Sequence, residues 1–167
     1  SLGATGANNT NGLVFGGNTG AGGTVTANTQ TFDGTSFSEV SDLNTARSGI
    51  GGAGTQTASL AYGGSYNAPA TIVTNTESWD GSSWTNSPTP LITPRNNMGA
   101  AGTETAAMSF GGNSGNTGTQ NADYQLYNGT TWITQPSMAN ARSYIAGFGT
   151  STSAIGAGGY GSAINPD

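Results

Sequence analysis

The 167-residue chain has no cysteine, no histidine and no lysine, and its basic residues number three, all arginine. The missing cysteines exclude disulfides and thiolate metal sites. Without histidine or cysteine there is no Ser-His or Cys-His pair to make a nucleophile. A net charge of −5 with no basic stripe argues against a nucleic-acid groove and against an anionic membrane surface. No apolar run approaches the roughly 18 residues of a membrane-crossing helix, so membrane insertion is not expected. Apolar residues do not recur at three and four. Glycine and β-branched residues interrupt every window, so helices are not expected either.

What the chain does have is a repeat. An aromatic followed by two glycines falls at Phe15-Gly16-Gly17, Tyr62-Gly63-Gly64 and Phe110-Gly111-Gly112, at intervals of 47 and 48 residues. A fourth copy, Ala157-Gly158-Gly159, carries alanine in place of the aromatic. A second aromatic recurs at Phe32, Trp79 and Tyr127, and a third at Phe37, Trp84 and Trp132. Between them lie Asp33-Gly34, Asp80-Gly81 and Asn128-Gly129, which read as two-residue hairpin turns because glycine takes the positive φ such turns need. Arg47, Arg95 and Arg142 follow the same period, so each marks a repeated structural position. Twenty-nine glycines suggest disorder in isolation. Their fixed offsets beside recurring aromatics argue against it.

The pattern predicts an all-β, antiparallel protein. In the first unit we expect strand A near 2–7, B near 11–16, C near 24–32 and D near 36–40. In the second, A, B, C and D fall near 48–54, 57–63, 71–79 and 83–86. In the third they fall near 96–102, 105–111, 119–127 and 131–134, and a last A–B pair falls near 143–149 and 152–158. Strand A is rich in glycine and alanine, as expected where inner strands crowd around a central axis. Ile50, Met98 and Ile145 are expected at equivalent positions there. The aromatics of B, C and D then fill the space between adjacent sheets.

The double glycine closing strand B, the aromatic ending C, the Trp in D and the Pro/Arg link together resemble the kelch repeat. They are similar to blades of the galactose-oxidase central domain. Kelch repeats often carry glutamate two residues before the strand C aromatic. Glu77 matches this, while Gln30 and Gln125 do not. The resemblance implies a β-propeller of four-stranded antiparallel blades, about three and a half in this chain. One region covers 1–167, with blades near 1–47, 48–95 and 96–142 and a half-blade at 143–167. Propellers typically close with about four to eight blades. The ring is therefore expected to be completed by more polypeptide or by another chain, with open blade faces that associate. Galactose oxidase's copper chemistry needs histidine ligands that are absent, so the resemblance is to the scaffold and not to the activity. The lysine-free, Gly/Asn/Thr/Ser-rich style also resembles repeats in virion and tail-fibre proteins of aquatic bacteriophages.

No catalytic residue, cofactor or metal ligand is assigned. Of eight carboxylates, Asp33 and Asp80 share one repeat position and read as turn formers. Paired-carboxylate glycosidase chemistry is the remaining enzymatic option. Arg47, Arg95 and Arg142 read as frame residues that bond backbone carbonyls or a neighbouring carboxylate, the alternative being a ring that holds an anion. Trp79, Trp84 and Trp132 read as packing between blades, the alternative being stacking on sugars. Gly63, Gly64, Gly111 and Gly112 belong to the same frame. Loops vary between copies and carry function on rigid scaffolds. Tyr66, Asn67, Asn113, Asn116 and Tyr160 are accordingly the exposed candidates for ligand or partner contact. The expected function is a non-enzymatic structural or interaction propeller in a phage virion, as decoration, fibre or host-surface recognition. Its expected partners are a protein or surface glycan, other virion proteins or copies of itself, and its location the virion or an extracellular surface. The alternative is a cellular kelch-like protein–protein adaptor in the cytoplasm. The third option is a carbohydrate-active enzyme on a propeller scaffold.

Overall fold

The computed structural model describes residues 1–20, 23–66, 71–115 and 118–161, and among these there is no helix. The first unit runs β1 (Gly3–Asn8), β2 (Asn11–Phe15), β3 (Asn18–Thr19), β4 (Thr24–Val25), β5 (Thr29–Phe32) and β6 (Phe37–Val40). The second runs β7 (Gly51–Gly54), β8 (Ser59–Tyr62), β9 (Thr76–Trp79) and β10 (Trp84–Asn86). The third runs β11 (Gly99–Thr103), β12 (Ala106–Phe110), β13 (Asn113–Ser114), β14 (Thr119–Gln120), β15 (Tyr124–Tyr127) and β16 (Trp132–Gln135). β17 (Arg142–Ser143), β18 (Ala146–Thr150), β19 (Ser153–Ala157) and β20 (Tyr160–Gly161) follow.

Each of the first three units folds into a four-stranded antiparallel sheet with its strands in chain order, β1-β2-β5-β6, β7-β8-β9-β10 and β11-β12-β15-β16. β18 and β19 form a hairpin in the same register. The first strands of successive units are neighbours: β1 packs on β7, β7 on β11 and β11 on β18. Small residues permit this approach. A Cβ on Gly52 would stand 3.0 Å from the Ala4 carbonyl oxygen, and one on Gly147 would stand 2.5 Å from that of Ala100.

Strand C is shorter than the sequence suggests. The run expected over 24–32 breaks at 26–28, and the run over 119–127 breaks at 121–123. The double glycine causes the break. Its left-handed residues turn the ladder aside, and the freed carbonyls serve the link to the next unit. Leu43 N–H donates to the Ala27 carbonyl, and Met138 N–H to that of Ala122. Strand A begins late, at Gly51 and Gly99, because the residues before it also hydrogen-bond to neighbouring units.

The aromatic before each double glycine lies across from a glycine on strand A. The pairs are Gly3–Phe15, Gly51–Tyr62 and Gly99–Phe110, and the fourth is Ala146–Ala157. A Cβ on Gly51 would sit 2.5 Å from the Tyr62 ring. The ring folds over its partner, so the position tolerates only glycine where an aromatic faces it. Where the aromatic is lost, the glycine is lost too.

The core lies between sheets. One buried cluster joins Leu13, Phe15, Leu43 and Ile50 to Ala61, Trp79 and Trp84. A second joins Leu60, Tyr62 and Leu91 to Met98, Tyr127 and Trp132. A third joins Ala101 and Phe110 to Ile145. Ile50, Met98 and Ile145 are all buried just ahead of β7, β11 and β18.

The Asp-Gly and Asn-Gly steps are not two-residue hairpin turns. Each opens a four-residue loop in which the side chain caps the backbone. Asp80 Oδ1 accepts from Ser82 N–H and Ser83 N–H at 2.8 Å each, and Asn128 Oδ1 does the same for Thr130 and Thr131. The loop brings the flanking aromatics into cross-strand pairs, with ring centroids 4.8 Å apart for Phe32–Phe37 and 5.4 Å for Trp79–Trp84. Bonds from Ser83 and then Ser82 hold the Asp80 carboxyl down from 3.8 to about 2. A depressed carboxylate stabilises the fold above its ordinary value and stops doing so as the pH falls through the folded one. Acid melts should therefore lose stability between pH 3.8 and about 2. Asp80→Asn should flatten that limb, because Asn128 performs the same capping without a proton to gain.

Candidate functional site

The arginines form the joints between units. The Arg47 carbonyl accepts Gly17 N–H at 2.8 Å. Its guanidinium reaches the other way, Nη1 donating to the carbonyls of Gly63 at 2.7 Å and Asn75 at 2.9 Å, and Nη2 to Glu77 Oε1 at 2.6 Å. Arg95 repeats this, accepting Gly64 N–H at 2.8 Å and donating to the carbonyls of Gly111 at 3.3 Å and Asp123 at 2.9 Å. Arg142 accepts Gly112 N–H at 2.9 Å and donates to the Gly158 carbonyl at 3.3 Å. Each arginine thus ties the double glycine before it to the one after it. Both glycines of a pair are left-handed, with φ of 64° at Gly63 and 97° at Gly64, and a Cβ on Gly63 would stand 2.5 Å from the Arg95 carbonyl oxygen.

Arg47 and Arg95 are sealed from solvent, which leaves neither a face for an anion. Burial lowers both guanidinium pKa values, opposed by Glu77 at the first joint and by Asp123 at the second. The joints differ in how the arginine's charge is met. Glu77 pairs directly with Arg47, and its other oxygen accepts Asn44 N–H at 2.7 Å. At the equivalent position, the Gln125 Oε1 accepts Ile92 N–H at 3.0 Å. Its Nε2 donates to Thr93 Oγ1 at 2.6 Å, and that hydroxyl also accepts from Arg95 Nη2. A threonine thus links arginine to a neutral amide where the first joint uses a buried ion pair, and the carboxylate that faces Arg95 is the part-exposed Asp123, whose Oδ2 stands 3.5 Å from Nη2.

The tryptophans seal the same joints. Trp84 meets Phe15 edge-on at 5.0 Å, and Trp132 meets Tyr62 at 4.8 Å. Trp79, Trp84 and Trp132 are all buried, so none offers a ring face to a sugar in solution. Trp84 Nε1 donates to Thr29 Oγ1 at 3.1 Å. At the next joint the matching atoms, Trp132 Nε1 and Thr76 Oγ1, are buried without a partner.

The loop candidates are dispersed. Tyr66 is half-buried and its hydroxyl donates to Asn75 Oδ1 at 3.3 Å. Asn113 was expected on the surface, but only 8% of it is exposed. It occupies the repeat position that bridges strand A's lead segment, exchanging backbone hydrogen bonds with Asn96. Tyr160 holds the same position in the fourth unit, bridged to Ser143 by backbone pairing, with its side chain exposed. Asn67 and Asn116 lie outside the described residues.

One residue escaped the sequence reading. Gly49, Asn97 and Tyr144 share a repeat position, with left-handed φ of 65°, 51° and 58°. Their backbones form a chain of bonds across the units. Gly49 N–H donates to the Ser1 carbonyl at 3.1 Å, Asn97 N–H to that of Gly49 at 2.9 Å, and Tyr144 N–H to that of Asn97 at 2.7 Å. All four units line one cavity here, of about 320 Å³. Its inner wall includes the buried Ile50, Met98 and Ile145, and its polar side chains are Ser1, Asn97 and Tyr144. Ser1 Oγ donates to Asn97 Oδ1 at 3.0 Å. Glycine and asparagine suit a left-handed backbone, whereas tyrosine pays for it with about 1–3 kcal/mol. The progression Gly, Asn, Tyr at one repeat position is the signal in the sequence. Further along the inner strands a second cavity, of about 300 Å³, is lined mainly by glycine and alanine, with Phe148 the one aromatic.

No protein-family model and no curated protein matches the chain.

The joints generate a ranking. Arg47→Ala leaves the buried Glu77 carboxylate unpaired and should cost about 3–5 kcal/mol. Glu77→Gln should cost clearly less, since Gln125 already serves the second joint. Urea unfolding of both variants checks the order, and equal losses would contradict it.

Proposed function

We propose that the four-stranded sheets are blades of a β-propeller and that the protein works as an interaction module rather than as an enzyme. The charged groups best placed for chemistry, Arg47, Arg95 and Glu77, are committed to holding units together. The carrying observation is an apolar face that is covered in the first two units, part-covered in the third and open in the fourth. Leu13, Leu60, Met108 and Ile155 share a repeat position on strand B. Each faces a strand A residue across the ladder: Thr5, Ala53, Ala101 and Phe148. Leu60 is 1% exposed, whereas Ile155 is 57% and Phe148 55% exposed. The small partner on strand A has become phenylalanine where the face is open.

The same contrast appears at the aromatics. Phe15 and Tyr62 each receive a tryptophan from the following unit. Phe110 instead borders a groove of about 250 Å³, shared with Met108, Tyr124, Met138 and Ala154. The chemistry that fits this side is another blade of the same kind, with an aromatic entering beside Phe110. The first unit offers a matching face, since Phe37 stands at the tryptophan position of strand D and is 56% exposed. The setting we propose is a phage virion or another extracellular surface, supported by the lysine-free, Gly/Asn/Thr/Ser-rich composition.

Sedimentation velocity of the chain tests this reading. It should associate head to tail in a concentration-dependent way, and Phe148→Ser with Ile155→Ser should disperse it. A wild-type chain that stays monomeric and binds no hydrophobic dye would remove the basis for the reading. Finding the protein in purified particles by mass spectrometry checks the setting.

A further inference from the structure

We propose that the cavity rimmed by Ser1, Asn97 and Tyr144 binds a neutral saccharide ring. The inference rests on the interaction reading and names a ligand class and a site for it. The ligand follows from the chemistry of the lining. Ile50, Met98 and Ile145 give the site an apolar wall. A hydroxyl, an amide and a phenol provide its polar contacts, and no lining side chain is charged. A pyranose has the complementary build: an apolar C–H face, a polar hydroxyl edge and no net charge. The volume of about 320 Å³ falls at the lower end of ligand pockets, about 300–1,000 Å³.

Tyr144 carries the argument. At its repeat position the fold needs a left-handed backbone, which Gly49 supplies without strain and Asn97 with little. Tyrosine is the costly choice, and it recovers little by burial, since the residue is 63% exposed. Strain of this kind persists where a site uses it. The exposed ring is a flat face to stack on, with a phenolic hydroxyl for an edge contact. Asn97 and Ser1 already share a hydrogen bond, so their remaining donors and acceptors are held in place before a ligand arrives.

The test exploits the repeat position, where glycine is the residue the backbone prefers. Saturation-transfer NMR of the full chain is run with galactose, glucose and N-acetylglucosamine. Glucuronate and tryptophan amide serve as the charged and the apolar-aromatic comparison. At least one neutral sugar should receive saturation, most strongly on one ring face. Tyr144→Gly should weaken it by about tenfold or more, while its melting temperature stays equal or rises. Tyr144→Phe should keep most of the binding, and Asn97→Gly should weaken it with little change in melting.

Absence of transfer to all three sugars overturns the proposal. So does binding that survives Tyr144→Gly, or transfer to glucuronate or tryptophan amide alone. A lower melting temperature in Tyr144→Gly would make the tyrosine a structural residue and overturn it as well. Sedimentation separates the two readings, because Tyr144 lies off the Phe148–Ile155 face. Lost sugar binding with intact association leaves the interaction module standing, and lost association with intact sugar binding does the reverse.

Discussion

The structure depends on a guanidinium that is buried and must therefore find acceptors for most of its donors. Arginine keeps its charge in proteins and presents donors in a fixed fork. Arg47 satisfies that fork with two carbonyls and a carboxylate from the following sheet, while its own carbonyl binds the preceding one. Those bonds require the carbonyls to point inward, and that needs two consecutive left-handed residues. Gly63-Gly64 supplies them. The same two glycines break strand C and turn its carbonyls toward the next link. The double glycine, the split strand and the arginine are parts of one device.

That device explains why so little of the chain is charged. A sheet-on-sheet joint needs one cation, and the rest of the interface is filled by aromatic and aliphatic rows. The Glu77 and Gln125 joints show that a fully buried counter-charge is optional once the carbonyls are in place, since the carboxylate beside Arg95 is the part-exposed Asp123 at 3.5 Å. A buried ion pair pays heavily for desolvation, and substituting an amide and a threonine avoids part of that cost. What is fixed is the geometry around the guanidinium.

Much of this was legible in the sequence because the repeat compares the chain with itself. The period of Arg47, Arg95 and Arg142 marked the joints, and the three aromatic rows marked the sheets. Local propensity misled where tertiary hydrogen bonds took over. Residues 26–28 look like strand, yet the Thr26 and Ala27 carbonyls serve the next link. Asp80-Gly81 looks like a two-residue turn, yet the carboxylate caps a longer loop. Asn113 looks like a loop tip, yet its backbone pairs with Asn96 and draws it inside. The Tyr144 position stayed hidden because its signature is a backbone angle. Nothing in a tyrosine's chemistry announces a positive φ, and only alignment with Gly49 exposes it.

The third joint is looser than the first two. A Cβ on Gly16, Gly63 or Gly111 would collide with the following link, whereas one on Gly158 meets nothing within 4 Å. Arg142 is only half-buried and reaches a single carbonyl there. In an array where each unit leans on its neighbours, cooperativity is a sum of nearest-neighbour terms. Among the described residues the joint bonds are densest at the two sealed arginines. Amide protons around Gly63 and Arg95, where these bonds are densest, should accordingly be among the slowest to exchange.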